Sequence, residues 1–455
     1  MAIIKHPYYP IIYLRGYAMT RGAIEDTVAT PYMGFNLGST RMRQEWDRSI
    51  SQHIFESPLV RLMKDYGYVD NYQYGRQQEG KIPARSVIIY RYYDAADPIL
   101  GSGSTLSIEA AAEGLSRLIL QIRQQVCGDD SNAQAAFKVY LVAHSMGGLI
   151  CRSLLQNDAI GSVAAKTAVD KVFTYGTPHN GIDLRGFNVP RWFGAMDANN
   201  FNRKRMASYL DLPDSDRVDS LNERFDPQRF FCLVGTNHQD YSLVRYPVGP
   251  SSDGLVKIEN ATLRGAPRAY VYRSHSGDLG LVNSEEGYQN LVRFLFGDAF
   301  VTATLRVDEL PLPPRVQAEY DKGHEVRASY LFESTVTARG LFDVNLTERR
   351  QDEASAIFRS FDELFQPQRV LRDSARSPVL CSVFLDSSKI SAGQTMEFTL
   401  ILAVRSTDYL VRRGLRQERI PAESLYTGSI TLKASKHGAG WRLRYVLSDE
   451  EWSAG

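Results

Sequence analysis

The sequence has few cysteines, and their spacing excludes two classes of protein. Cys127, Cys151, Cys232 and Cys381 are the only four in 455 residues, and they form neither a C-x-x-C pair nor a metal-binding pattern. A disulfide-rich secreted scaffold and a cysteine-based zinc site are therefore excluded. Isolated cysteines of this kind are usually buried and pack like small apolar side chains, so we predict free thiols in a reducing compartment.

The sequence also lacks an excess of charge of either sign. Lys and Arg together number 53 and Asp and Glu number 52, which gives a formal net charge of +1. A nucleic-acid-binding protein needs a strongly basic surface to displace counterions from phosphates. We therefore expect no nucleic-acid partner.

Long apolar runs are missing as well. No stretch approaches the roughly 20 apolar residues that a membrane-spanning helix requires. The N-terminal segment Met1–Pro7 has neither the apolar core nor the small-residue cleavage site of a secretory signal. We expect a soluble protein without a transmembrane segment, either cytoplasmic or exported by a route that needs no cleaved signal.

The first 300 or so residues alternate between short apolar runs and helical patterns. Strands alternating with helices are typical of a doubly wound, mostly parallel sheet, so the predicted fold class is α/β. The predicted strands are Pro10–Leu14, Ser86–Tyr90, Lys138–Val142, Val169–Tyr175, Arg229–Val234 and Ala269–Tyr272. The predicted helices are Ser107–Val126, with Ser107 as its N-cap, Met146–Leu155 and Ser284–Leu295.

The pattern changes after residue 305. Three prolines within Pro311–Pro314 predict a stiff linker over residues 306–314. Beyond it, alternating runs such as Met396–Leu402 predict a mainly β, sandwich-like domain over 315–455, interrupted by a helix near Glu353–Leu364. This domain contains no catalytic pattern, and binding a lipid surface, binding a partner and stabilising the first domain remain alternative roles.

The clearest motif lies between a predicted strand and a predicted helix. Residues Ala143–Gly147 read Ala-His-Ser-Met-Gly, which matches the nucleophile elbow G-x-S-x-G with alanine in the first small position. Ser145 would occupy a sharp turn in which the residues two before and two after must be small. The helix that follows would direct backbone N–H groups towards a developing oxyanion. Ser145 is therefore the candidate nucleophile.

A serine nucleophile needs a histidine base and an acid that orients it. His275 lies in a polar loop between the last predicted strand and helix of the first domain, and Asp253 lies in the turn sequence Ser-Asp-Gly. His238 and Asp240 follow another predicted strand and remain alternatives for the base and the acid. His144 and His179 lie too close to Ser145 in sequence to be the usual base.

Four segments together resemble the bacterial triacylglycerol lipases and related esterases of the α/β-hydrolase superfamily. They are Ala143–Gly147, Tyr175–Gly181, Ser252–Val256 and the loop of His275, which lies 22 residues after Asp253. The resemblance extends over about Tyr9–Phe296. It implies the catalytic triad Ser145, Asp253 and His275.

The resemblance also implies an oxyanion hole built from backbone groups. These lipases have a histidine–glycine pair after the first strand, and here the pair is Arg15-Gly16. The implied donors are the backbone N–H groups of Tyr17 and Met146. Arg15 replaces the usual histidine and could instead form a salt bridge that fixes the loop. Some relatives bind calcium near the histidine loop, but the spacing of Asp278 does not match, so we predict no metal and no cofactor.

Residues 182–226 depart from the strand–helix pattern, and the resemblance implies that such an insertion is a lid over the active site. Its aromatic residues, including Trp192 and Phe193, favour an acyl chain, and basic residues such as Arg203 and Arg205 favour an anionic head group. The alternative is a cap packed over a small pocket. We expect an ester or lipid as the substrate. A membrane or lipid surface is a further candidate partner.

The sequence therefore predicts a serine carboxylic ester hydrolase, lipase-like or phospholipase-like, that acts through an acyl-enzyme on Ser145. One alternative is an acyltransferase with the same triad. Others are a non-catalytic member of the fold that binds lipid or a partner, and a lipid-degrading toxin.

Overall fold

The computed structural model describes most of the chain. The described residues are 6–16, 29–44, 47–73, 76–77, 79–96, 106–184, 187–188, 198–215, 218–240, 248, 251–341, 344–365, 376–390, 395–438 and 440–448.

The chain divides into two compact units. The first comprises Met1–Arg268 and Arg273–Phe296, and the second comprises Ala269–Tyr272 and Gly297–Gly455. The first domain that the sequence predicts, residues 1–305, thus extends beyond the end of the first unit at Phe296. The extent of the linker at 306–314 stays a prediction.

The strands as far as Val271 are short, with at most seven residues each. In chain order they are β1 Ile11–Leu14, β2 Ser39–Gln44, β3 Ile50–Phe55, β4 Val69–Asp70, β5 Tyr72–Gln73, β6 Arg76–Gln77, β7 Ser86–Tyr90, β8 Val139–His144, β9 Val169–Tyr175, β10 Asp183–Leu184, β11 Phe187–Asn188, β12 Phe230–Gly235 and β13 Arg268–Val271. The helices of the first unit are α1 Pro58–Tyr66, α2 Ile108–Cys127, α3 Ser131–Ala136, α4 Met146–Gln156, α5 Val163–Ala168, α6 Arg203–Tyr209 and α7 Glu285–Phe296.

Seven of these strands form one sheet in the order β13-β12-β9-β8-β1-β7-β4. The pairs from β4 to β12 are parallel. β1 lies between β7 and β8, so the chain adds strands to one side of β1 and then to the other. The predicted doubly wound α/β fold is confirmed, and it is the fold of the α/β-hydrolases.

The predicted strands and helices as far as Phe296 are confirmed to within two residues at each end. α2 shows why the prediction succeeds. Ile108, Ala111 and Leu115 follow helical spacing and are buried on one face, and Ser107 Oγ accepts a hydrogen bond from Ala110 N at 3.1 Å. Local periodicity, burial and capping therefore agree.

The second unit contains antiparallel strands, which confirms the predicted β character. Its strands are β14 Ala299–Thr304, β15 Glu325–Arg327, β16 Ser329–Ala338, β17 Thr347–Arg349, β18 Ile357–Ser360, β19 Val379–Leu385, β20 Met396–Ser406, β21 Tyr409–Arg413, β22 Arg416–Ile420, β23 Ser424–His437 and β24 Gly440–Leu447. Its helices are α8 Pro314–Asp321 and α9 Phe361–Phe365. The largest sheet has the order β17-β16-β20-β23-β24, with β18 also paired to β16.

The predicted helix near Glu353–Leu364 is wrong over most of its length. Ile357–Ser360 is strand β18, which pairs antiparallel with β16, and helix α9 begins only at Phe361. Ile357 is buried and Phe358 is exposed, which is the alternation of a strand. Pairing with a long neighbouring strand outweighs the local helical preference.

The four cysteines are free thiols, and Cys151, Cys232 and Cys381 are buried. Within the described part of the chain, no helix combines the length and the apolar character that crossing a membrane requires.

Candidate active site

Ser145 lies in the turn between β8 and α4. Its backbone has φ 54° and ψ −126°, a conformation that costs an ordinary residue energy and is common at nucleophile elbows. Two hydrogen bonds hold the turn: Ser145 N donates to Tyr175 O at 2.9 Å, and Thr177 Oγ1 donates to Ser145 O at 2.7 Å. The loop after β9 thus fixes the position of the serine backbone.

The elbow also requires small residues around it. A Cβ atom at Gly147 would lie 2.7 Å from Leu14 O. A Cβ atom at Gly16 would lie 2.4 Å from Ser145 Cβ. The end of β1 therefore passes directly beside the serine, which is possible only because both positions are glycine.

The structure brings His275 and Asp253 to Ser145. His275 Nε2 lies 2.9 Å from Ser145 Oγ, and His275 Nδ1 lies 2.8 Å from Asp253 Oδ2. All three residues are buried, with exposed fractions of 4% for Ser145, 3% for His275 and 1% for Asp253. A hydroxyl, an imidazole and a carboxylate in this order can transfer a proton from the serine while the carboxylate orients the ring.

Backbone groups fix the carboxylate. Asp253 Oδ1 accepts hydrogen bonds from Leu255 N at 3.0 Å and Val256 N at 2.7 Å. His275 N donates to Asp253 O at 2.9 Å. The Ser-Asp-Gly turn therefore supplies its own donors, as an aspartate turn does, and it also binds the backbone of the histidine loop.

The alternative residues have other partners. Asp240 accepts a hydrogen bond from Asn237 Nδ2 at 2.6 Å. His179 Nε2 lies 3.1 Å from Thr174 Oγ1, and burial, together with the charges of Arg152 and Arg268, holds its pKa well below the usual range. His275, rather than His238 or His179, is the histidine that contacts the Ser145 hydroxyl.

Of the two predicted oxyanion donors, Met146 lies among the described residues and Tyr17 does not. Met146 is the first residue of α4, so its N–H has no acceptor within the helix and points from the helix N-terminus.

Arg15, which stands where the lipases have histidine, binds a backbone carbonyl. Its Nη1 donates to Met33 O at 2.6 Å, and Tyr92 Oη donates to Arg15 O at 2.7 Å. Gly34 has φ +83°, and a Cβ there would lie 2.3 Å from Arg15 Nη1. Burial lowers the pKa of Arg15. The arginine therefore joins the end of β1 to the segment at Met33.

Sequence reasoning missed two buried polar residues beside the site. His144 was considered only as a base, yet its Nε2 lies 2.9 Å from His275 O. Arg152, in the middle of α4, donates to His179 O at 2.8 Å and to Ser220 O at 2.8 Å. A charged residue inside the apolar pattern of α4 was the available signal for Arg152.

The proposed lid is partly described. Trp192 and Phe193 lie outside the described residues, and the lid itself stays a prediction. Arg203 pairs with Asp183 at 3.0 Å, and Arg205 pairs with Glu109 at 2.6 Å. These two arginines are thus bound to carboxylates, which weakens the expectation that they receive an anionic head group.

The topology of the central sheet is that of the α/β-hydrolase fold. Comparison with protein families adds one match: the family described as the PGAP1-like alpha/beta domain matches residues 101–190, which include Ser145. Comparison with curated proteins finds no match.

Solved structures similar to the chain include three enzymes. Phospholipase PlaB from Legionella pneumophila is 12% identical, with 87% of this chain and 86% of that chain covered and a TM-score of 0.34. The mature lipase BlEst2 from Bacillus licheniformis is 16% identical, with coverage of 61% and 89% and a TM-score of 0.30. A carboxyl esterase of metagenomic origin is 11% identical, with coverage of 60% and 66% and a TM-score of 0.33.

Proposed function

We propose that the protein is a serine carboxylic ester hydrolase, lipase-like or phospholipase-like, in which Ser145, His275 and Asp253 form the catalytic triad. The observation that supports this most directly is the continuous hydrogen-bonded chain of 2.9 Å and 2.8 Å between the three side chains. The strained backbone of Ser145 at the start of α4 supports it independently.

The first half of the proposed reaction forms the acyl-enzyme. His275 Nε2 takes the proton of the Ser145 hydroxyl as Oγ attacks the ester carbonyl carbon. The negative charge that develops on the carbonyl oxygen is stabilised by the N–H of Met146 and by that of Tyr17, the second proposed donor. The carbon–oxygen bond then breaks, and the proton on His275 passes to the leaving alcohol.

The second half releases the acid. His275 removes a proton from water, which attacks the acyl carbonyl and forms a second tetrahedral intermediate. This collapses with release of the carboxylic acid, and the proton returns to Ser145 Oγ. Throughout, Asp253 stabilises the positive charge on His275 and keeps Nδ1 protonated, because its carboxylate lies 2.8 Å from that atom.

The test compares the wild type with Ser145→Ala on nitrophenyl esters of increasing chain length and on phospholipid vesicles. We expect kcat to fall by at least about 10⁴-fold in the variant, because the nucleophile is lost. Ser131→Ala, an exposed serine on α3, is the matched control and should retain wild-type activity. Preference for short chains would indicate an esterase, preference for long chains a lipase, and fatty-acid release from vesicles a phospholipase.

Covalent labelling supplies the second readout. A fluorophosphonate should label the wild type at Ser145 and should not label Ser145→Ala. A folded wild type that neither turns over any of these esters nor becomes labelled would contradict the proposal.

A further inference from the structure

We propose that His144 is a positioning residue that holds the backbone of His275, and thereby sets the distance from the His275 ring to Ser145. This inference rests on the proposed function, since it assigns His275 as the base. His144 Nε2 lies 2.9 Å from His275 O, in a buried environment. A carbonyl oxygen can only accept, so Nε2 of His144 must bear the hydrogen.

The contact completes a closed set of links between the three triad residues. The N–H of His275 donates to Asp253 O at 2.9 Å, and its C=O accepts from His144, the residue next to Ser145. The base is therefore bound to the acid through one backbone group and to the nucleophile's neighbour through the other. Together the two bonds fix the backbone of His275, which supports the 2.9 Å separation of Nε2 and Oγ.

Presetting this distance matters for the rate. A displacement of about 1 Å between a base and the group that it deprotonates can cost on the order of 100-fold in rate. His275 lies in a loop, and a loop backbone is generally more mobile than a strand or helix. His144 is the last residue of β8, so it transfers the rigidity of the central sheet to that loop.

The charge state of His144 fits this role. Burial lowers its pKa well below the usual range, with further lowering by His275 and Arg15. The two imidazole centroids are 4.9 Å apart. A neutral ring at this distance does not oppose the positive charge that His275 acquires during catalysis, whereas a protonated ring would.

The experiment replaces the donor while retaining the volume. His144→Phe keeps a planar ring without an N–H, and His144→Gln keeps an N–H at a similar distance from the backbone. We expect His144→Phe to lower kcat on nitrophenyl esters by about 10- to 100-fold with KM changed less than about twofold, since substrate binding is not altered. His144→Gln should recover most of kcat. His437→Phe, an exposed histidine of the second unit, is the control for loss of an imidazole and should match the wild type.

Two readouts separate positioning from a general loss of structure. The fluorophosphonate labelling rate of Ser145 should fall in parallel with kcat, and the midpoint of urea unfolding should stay close to the wild-type value. If His144→Phe does not fold, His144→Asn provides the comparison with His144→Gln, because its shorter amide cannot reach His275 O. A wild-type kcat in His144→Phe would overturn the inference. So would a fall of kcat in His144→Gln as large as that in His144→Phe or, if His144→Phe does not fold, as that in His144→Asn. A wild type without turnover or labelling would instead reject the proposed function.

Discussion

Ser145 occupies a backbone conformation that the rest of the elbow must maintain. Its φ of 54° and ψ of −126° are sparsely populated and cost on the order of 1–3 kcal/mol. The hydrogen bonds to Tyr175 O and from Thr177 Oγ1 offset part of this cost. The benefit is that the hydroxyl projects from the end of the strand towards His275 instead of into the helix.

Gly16 offers a test of how tightly this region is packed. In Gly16→Ala the new methyl group would lie 2.4 Å from Ser145 Cβ and 2.9 Å from His144 O, so the end of β1 or the elbow must move. We expect kcat on nitrophenyl esters to fall by about 100-fold, comparable to the loss of one oxyanion donor. Steady-state kinetics would measure the change.

The control for this change is Gly440→Ala. A Cβ at Gly440 meets no atom closer than His437 O at 3.9 Å, which is an ordinary contact, so activity should remain at the wild-type value. Full activity in Gly16→Ala would show that the approach of β1 to Ser145 is not needed.

At the scale of elements, α4 combines two tasks. Its N-terminus directs the N–H of Met146 outward beside Ser145, and its middle binds the surrounding loops through Arg152. The guanidinium is fully buried and donates to Gln156 Oε1 at 2.8 Å as well as to the carbonyls of His179 and Ser220. Burial lowers its pKa to about 10, so it remains charged at neutral pH.

Arg152→Met should therefore be strongly destabilising. The variant fills part of the volume but removes the guanidinium donor from the buried carbonyls of His179 and Val218. We expect the free energy of unfolding to fall by about 3 kcal/mol or more, as measured by urea denaturation. Arg117→Met removes an exposed arginine from α2 and should change stability by less than about 0.5 kcal/mol. Equal stability of the two variants would contradict the structural role of Arg152.

The elements of the first unit were predictable because each local pattern agrees with its surroundings. β1, β7 and β8 are continuous apolar runs between turns, and such runs suit the buried strands of a parallel sheet. The segment Glu353–Leu364 was not predictable because its state depends on pairing with β16, a contact that local periodicity does not contain.

On the scale of the whole molecule, the second unit has its own ionic cluster around the Glu319 carboxylate. The Glu319 carboxylate binds Lys322 Nζ at 2.9 Å, His324 Nδ1 at 2.8 Å and Arg413 Nε at 2.7 Å. Hydrogen bonds from Lys322, His324 and Arg413 lower the pKa of Glu319 to about 2. The cluster joins α8 to β21 within this unit.

The lowered pKa predicts how stability depends on pH. The ionised form is favoured in the folded state, so the contribution is complete above the ordinary glutamate pKa of 4.5 and is lost as the pH falls towards 2. We expect Glu319→Gln to destabilise the second unit at pH 5, and to do so less at pH 3. Urea denaturation at both pH values would measure this, with Glu309→Gln at an exposed carboxylate as the control. A difference that grows between pH 5 and pH 3 would contradict the prediction.

The candidate site was predictable only in part. Ser145 follows from a local motif. Asp253 and His275 were candidates from their positions in loops, and the resemblance to lipases favoured them over His238 and Asp240. The contact of His144 with His275 spans 131 residues, and that of Arg152 with Ser220 spans 68. Neither contact leaves a trace in spacing or periodicity, because both depend on how the strands of the sheet are ordered.

The order of the strands has a consequence for the newborn chain. β1 and Ser145 leave the ribosome before His275, which follows Ser145 by 130 residues. Synthesis of 130 residues takes roughly 10 s at ordinary rates of translation. The proposed nucleophile therefore has no base until nearly the whole first unit has been synthesised. Under the proposed function, nascent fragments would be inert and hydrolysis would begin only when the unit is complete.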